Sequence, residues 1–124
     1  MSGIKFLLDT NIVIGLLKGN SKVIQLLEDS ACILSESAIS QITRVELLSY
    51  PKLEIEEEKN IIKFISSISI FMFDEDVEKT TISYRRKKGG KLPDAIILAT
   101  AVHHRLKLIS MDVDMNKRMQ SIDI

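Results

Sequence analysis

The sequence predicts an α/β fold: a three-layer α/β/α sandwich around a central, mainly parallel sheet of about five strands. Three observations carry this expectation. The run Ile4 to Leu8 is apolar without alternation, as in a strand covered on both faces. Ile12, Val13, Leu16 and Leu17 follow at helical spacing and give one apolar face. The same strand-then-helix order then returns along the chain, the pattern of a parallel sheet with helical crossovers. At 124 residues the chain has the length of one domain, 1–124, and it carries no internal repeat or linker.

Taken in order, Gly19 and Asn20 close the first helix, and Ser21 opens a second with Val23, Ile24 and Leu27 on one face. Ala31 to Leu34 reads as a short extended piece, and Ser37 to Gln41 as a second core strand. A helix is expected from Thr43, with Glu46 in its first turn, ending before Tyr50-Pro51 because a residue preceding proline avoids the α region. Glu54 to Ser67 reads as a helix whose acidic start suits the positive helix end, with Ile61, Ile62, Phe64 and Ile65 inward. Ile68 to Phe73 is a third strand, followed by a helix from the Asp74-Glu75-Asp76 cluster to about Lys88. After the Gly89-Gly90 break, Leu92-Pro93-Asp94 opens an almost wholly apolar helix, which is therefore buried on most sides. Leu106 to Ser110 is a fourth strand, a short helix covers Met115 to Met119, and Ser121 to Ile124 is a fifth strand.

Lys plus Arg equals Asp plus Glu at 17 each, which argues against a strongly basic nucleic-acid binder but leaves local patches open. No apolar run is long enough to span a membrane, and Asp9 breaks the N-terminal apolar run too early for a signal peptide. The single cysteine, Cys32, reads as a small buried hydrophobe and fits a reducing, cytoplasmic setting.

The acids carry the functional signal. Asp9 follows the first strand, Glu46 lies just inside the helix after the second, and Asp112 follows the fourth, with Asp114 two residues on. In a parallel sheet these positions share the carboxyl edge, where ligands bind. Asp94 opens a helix that follows another helix, so topology alone does not bring it there. Each acid also has a structural explanation. Asp9, Asp112 and Asp114 suit helix caps, Thr43 to Glu46 matches a capping box, and Pro93-Asp94 is a favourable helix opening. Collected on one edge, however, they would repel each other strongly, and a divalent cation is the simplest relief. Oxygen ligands without histidine or cysteine select Mg²⁺ or Mn²⁺, ions suited to phosphate chemistry. His103 and His104 lie at the far end of the apolar helix and read as helix-terminal polar residues. The basic run Arg85, Arg86, Lys87, Lys88 suits a helix C-terminus and equally a phosphate contact.

LLDTNIVIGLLKGN, TRVELL and KLPDAIILATAVHHRLKLISMDVD, in this order, resemble the PIN-domain ribonucleases, and most nearly the single-domain VapC toxins of toxin–antitoxin pairs. The likeness covers nearly the whole chain. It implies an acidic catalytic site of Asp9, Glu46, Asp94 and Asp112, with Asp9, Asp94 and Asp112 as metal ligands and Glu46 holding a metal or its water. It implies that Thr10, Asn11, Ser110 and Asp114 shape the site or touch substrate, and that Arg44 and Arg85 to Lys88 can contact the RNA backbone. Ser110 stands where the family commonly has threonine, and Met115 where it has an aromatic; Asp114 competes with Asp112 as the fourth acid. The resemblance further implies Mg²⁺- or Mn²⁺-dependent RNA cleavage, a homodimer, and a cognate antitoxin that blocks the site. Two alternatives stand beside it. A phospho-acceptor receiver domain needs an isolated mid-chain aspartate, for which Asp74 is the nearest candidate. A PIN-fold module that binds RNA or protein without cutting has no need of so many acids beside phosphates.

Overall fold

A computed structural model describes residues 3–122. Four strands, β1 (Phe6–Leu8), β2 (Ser37–Ser40), β3 (Ser69–Phe71) and β4 (Lys107–Ile109), form one sheet in the order β3-β2-β1-β4. Every pairing is parallel. Among the described residues the α-helices are α1 (Thr10–Leu17), α2 (Ser21–Asp29), α3 (Gln41–Leu48), α4 (Ile55–Ser67), α5 (Glu75–Lys88), α6 (Leu92–His103) and α7 (Val113–Ser121).

The side-chain alternation of β1 divides the core in two. Phe6 and Leu8 pack with Ile12, Val13, Val23, Leu27, Leu47 and Ile61 from α1 to α4. Leu7 packs on the other face with Tyr84, Ala95, Ile97, Leu98, Ala101 and Met115 from α5 to α7. β2 repeats the division, Ile39 to the first cluster and Ala38 to the second, as does β4 with Ile109 and Leu108. Helices therefore cover the sheet on both faces, which is why the inner strand β1 reads as a continuous apolar run. The chain steps outward from β1 to β2 to β3, then returns to place β4 on the opposite side of β1. Right-handed crossovers made in opposite directions put their helices on opposite faces. The reversal makes the edge between β1 and β4 the topological switch point, the crevice where open α/β sheets bind ligands.

Local chemistry explains the element ends. Asn20 accepts the amides of Lys22 and Val23 to cap α2. At Gly15 an added Cβ would collide with the Val23 side chain, so glycine lets α1 and α2 approach closely. Asp74 accepts the Val77 amide as the cap of α5, which assigns it a structural task.

Several expectations need correction. The sheet has four strands among the described residues. Ser121, expected in a fifth, ends α7 instead, and Asp123 and Ile124 lie outside the described residues. The piece expected to be extended at Ala31 to Leu34 turns through a positive φ at Ala31 into a short 3-10 helix, Leu34–Glu36. α3 starts two residues earlier than expected because Ser40 caps it through the Ile42 amide, so Glu46 lies in its second turn. Ile62 of α4 is exposed; only Ile61 of that helix is fully buried. Cys32 is half-buried, with its thiol 3.3 Å from the Ser37 hydroxyl, and burial raises its pKa. No helix among the described residues is long and apolar enough to cross a membrane.

Candidate active site

Asp9 leaves β1 at the switch point. Its backbone amide still donates to Ile109 of β4 at 2.9 Å, so the sheet ladder fixes its position. The side chain is only 6% exposed. One carboxylate oxygen accepts the Thr10 amide at 2.8 Å as the cap of α1. The other accepts the Ser110 hydroxyl at 2.6 Å and the Asn11 amide group at 3.3 Å. A short hydroxyl-to-carboxylate bond of this kind is charge-assisted and holds the anion in one orientation.

Ser110 is the joint between the ends of β1 and β4. It is buried, and its oxygen also accepts the Asp112 amide at 2.9 Å. The Met111 amide donates to the Asn11 side-chain oxygen at 3.1 Å, and the Asn116 side chain donates to the Ser110 carbonyl at 3.0 Å. Thr10 works in the other direction. Its hydroxyl donates to Glu46 Oε1 at 2.6 Å and lies 3.0 Å from the hydroxyl of buried Thr43. The expected capping box from Thr43 to Glu46 is therefore absent: Thr43 is inside α3, and Glu46 turns to Thr10 at the start of α1 rather than to its own helix start.

Asp94 stands in the first turn of α6, half-buried. Burial raises its carboxyl pKa above the usual range, and the charges of Asp9 and Asp112 raise it further; Lys91 and Arg118 oppose this only in part. The effect of Asp9 and Asp112 on Asp94 puts three acids from three different elements in one electrostatic neighbourhood, although only two of them follow strands. Asp112 caps α7 through the amides of Asp114 and Met115. Asp114 is turned away, paired with Arg118 Nε at 2.8 Å, and it is not among the charges acting on Asp94. Of the two, Asp112 is the acid whose charge acts on Asp94.

The oxygen donors suit a hard divalent cation in kind. Among the described residues, however, no three His, Cys, Asp or Glu side chains stand in a ready-made group for a metal ion. Two of the basic residues expected to contact RNA bond elsewhere. Arg44 reaches the Met72 sulfur, and Arg85 donates to the Gly90 carbonyl at 3.4 Å in the last turn of α5. His104 caps the end of α6 and stacks on Phe71, with ring centroids 4.0 Å apart. Sequence reasoning missed Thr43 as a partner of Thr10, and Asn116 and Arg118 as supports of the site; only Thr43 gave any signal, and it pointed to the wrong partner.

The family model described as "PIN domain" matches residues 6–119, which include every acid of the site. No curated protein matches the chain. Among solved structures, a toxin–antitoxin complex from Klebsiella pneumoniae contains a chain 36% identical to this one, with 87% of each chain covered and a TM-score of 0.71. DNA-bound VapBC from Salmonella typhimurium matches at 25% identity over 98% of this chain and 96% of that one, TM-score 0.75. VapBC2 from Rickettsia felis, bound to a DNA fragment from their promoter, shares the fold at 22% identity, 93% and 92% coverage and a TM-score of 0.74.

Proposed function

The chain belongs to the PIN domain family, and on that premise we propose that it is a metal-dependent endoribonuclease acting as the toxin of a toxin–antitoxin pair. The observation that carries the reading is the charge of Asp9 and Asp112 acting on half-buried Asp94 at the switch point of the sheet. Carboxylates gathered against their own repulsion cost stability, and a site that needs them explains why they are there. Family membership also replaces the receiver-domain alternative, and Asp74, its candidate acceptor, is a helix cap.

Mg²⁺ or Mn²⁺ held by Asp9, Asp94 and Asp112 would supply a Lewis acid that lowers the pKa of a water and offsets charge on the phosphorus. The protein's own residues do the positioning. Ser110 and Asn11 fix the Asp9 carboxylate. Thr10, backed by Thr43, holds Glu46 Oε1, which leaves Oε2 to accept a hydrogen bond from the attacking water. In-line attack then leaves a 5′-phosphate and a 3′-hydroxyl. Arg44 and the run Arg85 to Lys88 contact the RNA backbone outside the acidic edge. The partner is a cognate antitoxin, as in the toxin–antitoxin complex from Klebsiella pneumoniae; the working form is a cytoplasmic homodimer.

A second reading is a PIN-fold module that binds without cutting. It is favoured by one observation: no three ligand side chains stand ready-grouped for a metal among the described residues. Induced expression of the wild type and of Asp9→Asn, with RNA 5′ ends mapped in both cultures, separates the two. Growth arrest with new 5′-phosphate ends in the wild type alone supports the nuclease. Equal arrest by both proteins removes the acidic site from the mechanism, and arrest without new ends favours the binding module.

A further inference from the structure

We propose that Arg118 is a substrate-binding residue of the acidic edge, held ready to contact an RNA phosphate next to the bond that is cut. This rests on the nuclease reading above. An edge that gathers acids repels a polyanion, so some cation must stand beside the acids for RNA to settle there. Two cations act on Asp94 from nearby, Lys91 and Arg118. Lys91 is exposed at the N-cap of α6 and has no side-chain cap bond. Arg118 is built in from three sides. Its Nε donates to Asp114 at 2.8 Å, and its Nη1 donates to the hydroxyl of Tyr84, a residue 2% exposed, at 2.9 Å. Gly90, at φ 94°, passes so close that a Cβ there would lie 3.0 Å from Nη1. α5, the Gly89-Gly90 break and α7 therefore converge on one guanidinium beside the first turn of α6.

A guanidinium has five N–H donors in a rigid fork. Asp114 and Tyr84 take one each, and the Nη2 donors have no protein acceptor among the described residues. Those two bonds are enough to join α7 to α5. A fork held at its base, with donors left over beside an acidic site, is arranged for bidentate contact with phosphate oxygens. The immobilisation removes most of the entropy cost that a free arginine meets on binding. It also gives Asp114 its place: the acid orients the arginine, which is why it stands outside the acidic set.

The test is RNA binding by the full-length protein, with Ca²⁺ in place of Mg²⁺ and a labelled single-stranded RNA of mixed sequence as the probe. Affinity is measured across a salt series for wild type, Arg118→Gln, Arg118→Lys and Tyr84→Phe, with melting temperature recorded for each. Arg118→Gln should weaken binding several-fold and lower the salt slope by about 0.7, the loss of one phosphate contact on a single strand. Arg118→Lys should restore the slope but not all of the affinity, and Tyr84→Phe should keep the slope. If Arg118→Gln and Tyr84→Phe melt earlier by similar amounts and both keep the wild-type slope, Arg118 is a tie between helices and the inference fails. Wild-type protein that makes new 5′ ends while Arg118→Gln binds RNA unchanged defeats this inference alone; wild type that neither cuts nor binds RNA defeats the nuclease reading itself.

Discussion

Two regions of this molecule are rich in acids, and they differ in every physical respect that matters. At the start of α4, Glu54, Glu56, Glu57 and Glu58 lie close in sequence and point into water. Glu57 accepts the Glu54 amide at 3.2 Å in a capping box, and Glu56 lies 3.7 Å from Lys59 in an exposed pair. Their charges are solvated, screened and favoured by the helix dipole. At the β1–β4 edge the acids are far apart in sequence, range from buried (Asp9) through half-buried (Asp94) to exposed (Asp112), and are brought together by three separate elements. The first group is explained by its own helix; in the second, Asp9 and Asp112 each cap a helix, but no local need accounts for the approach of Asp94 to both. Convergence against repulsion, rather than the number of carboxylates, marks a functional site.

The sharpest way to break that contrast is to neutralise one acid in each region. Asp94→Asn should reduce RNA cleavage by more than about 100-fold, beyond what is usual for supporting residues, while Glu57→Gln leaves cleavage unchanged. The same Asp94→Asn should melt at a higher temperature than wild type near neutral pH. The sign follows from the raised pKa: the protonated form suits the fold, so its stability contribution is present at low pH and lost as the pH rises through the raised value. The stability gain of the variant should therefore vanish below about pH 4. A variant that keeps its activity, or that melts earlier than wild type at neutral pH, would remove Asp94 from the site.

A smaller effect is expected from the residue that joins the acids. Ser110→Ala leaves the Asp9 carboxylate and the Asp112 amide without a shared partner. It should cost about 1–3 kcal/mol in stability and roughly 10- to 100-fold in cleavage, read by urea unfolding and by initial rates. Loss of stability with full activity would reduce Ser110 to a structural role.

The smallest effect lies away from the acids altogether. Burial lowers the pKa of His104, whose Nε2 is enclosed and has no hydrogen-bond partner among the described residues. The unfolded chain takes up a proton near pH 6.5, while the folded chain resists it. Stability is thus full above that pH and falls as the pH drops towards the lowered value. His104→Phe, which keeps a ring against Phe71, should lose that part of the acid sensitivity without changing cleavage. An unchanged pH profile of stability would show that His104 does not titrate in this range.

Much of the fold was legible because burial leaves a periodic trace. Phe6 to Leu8 and the α6 run Ala95 to Ala99 are buried on nearly all sides, and both are visible as unbroken apolar sequence. Asp9, Asp94 and Asp112 were legible as candidates because each interrupts such a run or opens a helix. The capping-box reading of Thr43 and Glu46 failed for the opposite reason. It is a local pattern, and a partner 36 residues away, Thr10, offers Glu46 a hydroxyl at 2.6 Å. Likewise, nothing in the spelling of Asp112-Val113-Asp114 separates the two acids; Arg118, one turn further along α7, does so by pairing with Asp114.

The sequence by itself determined the order of strands and helices and the residue types available to a site. Those follow from periodicity and from the conformational limits of proline and glycine, which act over a few residues. The tertiary structure alone decided that β4 returns beside β1, that α6 brings Asp94 within reach of Asp9 and Asp112, and that Ser110 ties two strands through one hydroxyl. Such contacts join residues about a hundred positions apart. Their free energy comes from packing two apolar faces of one sheet at once, and no short stretch of chain carries that.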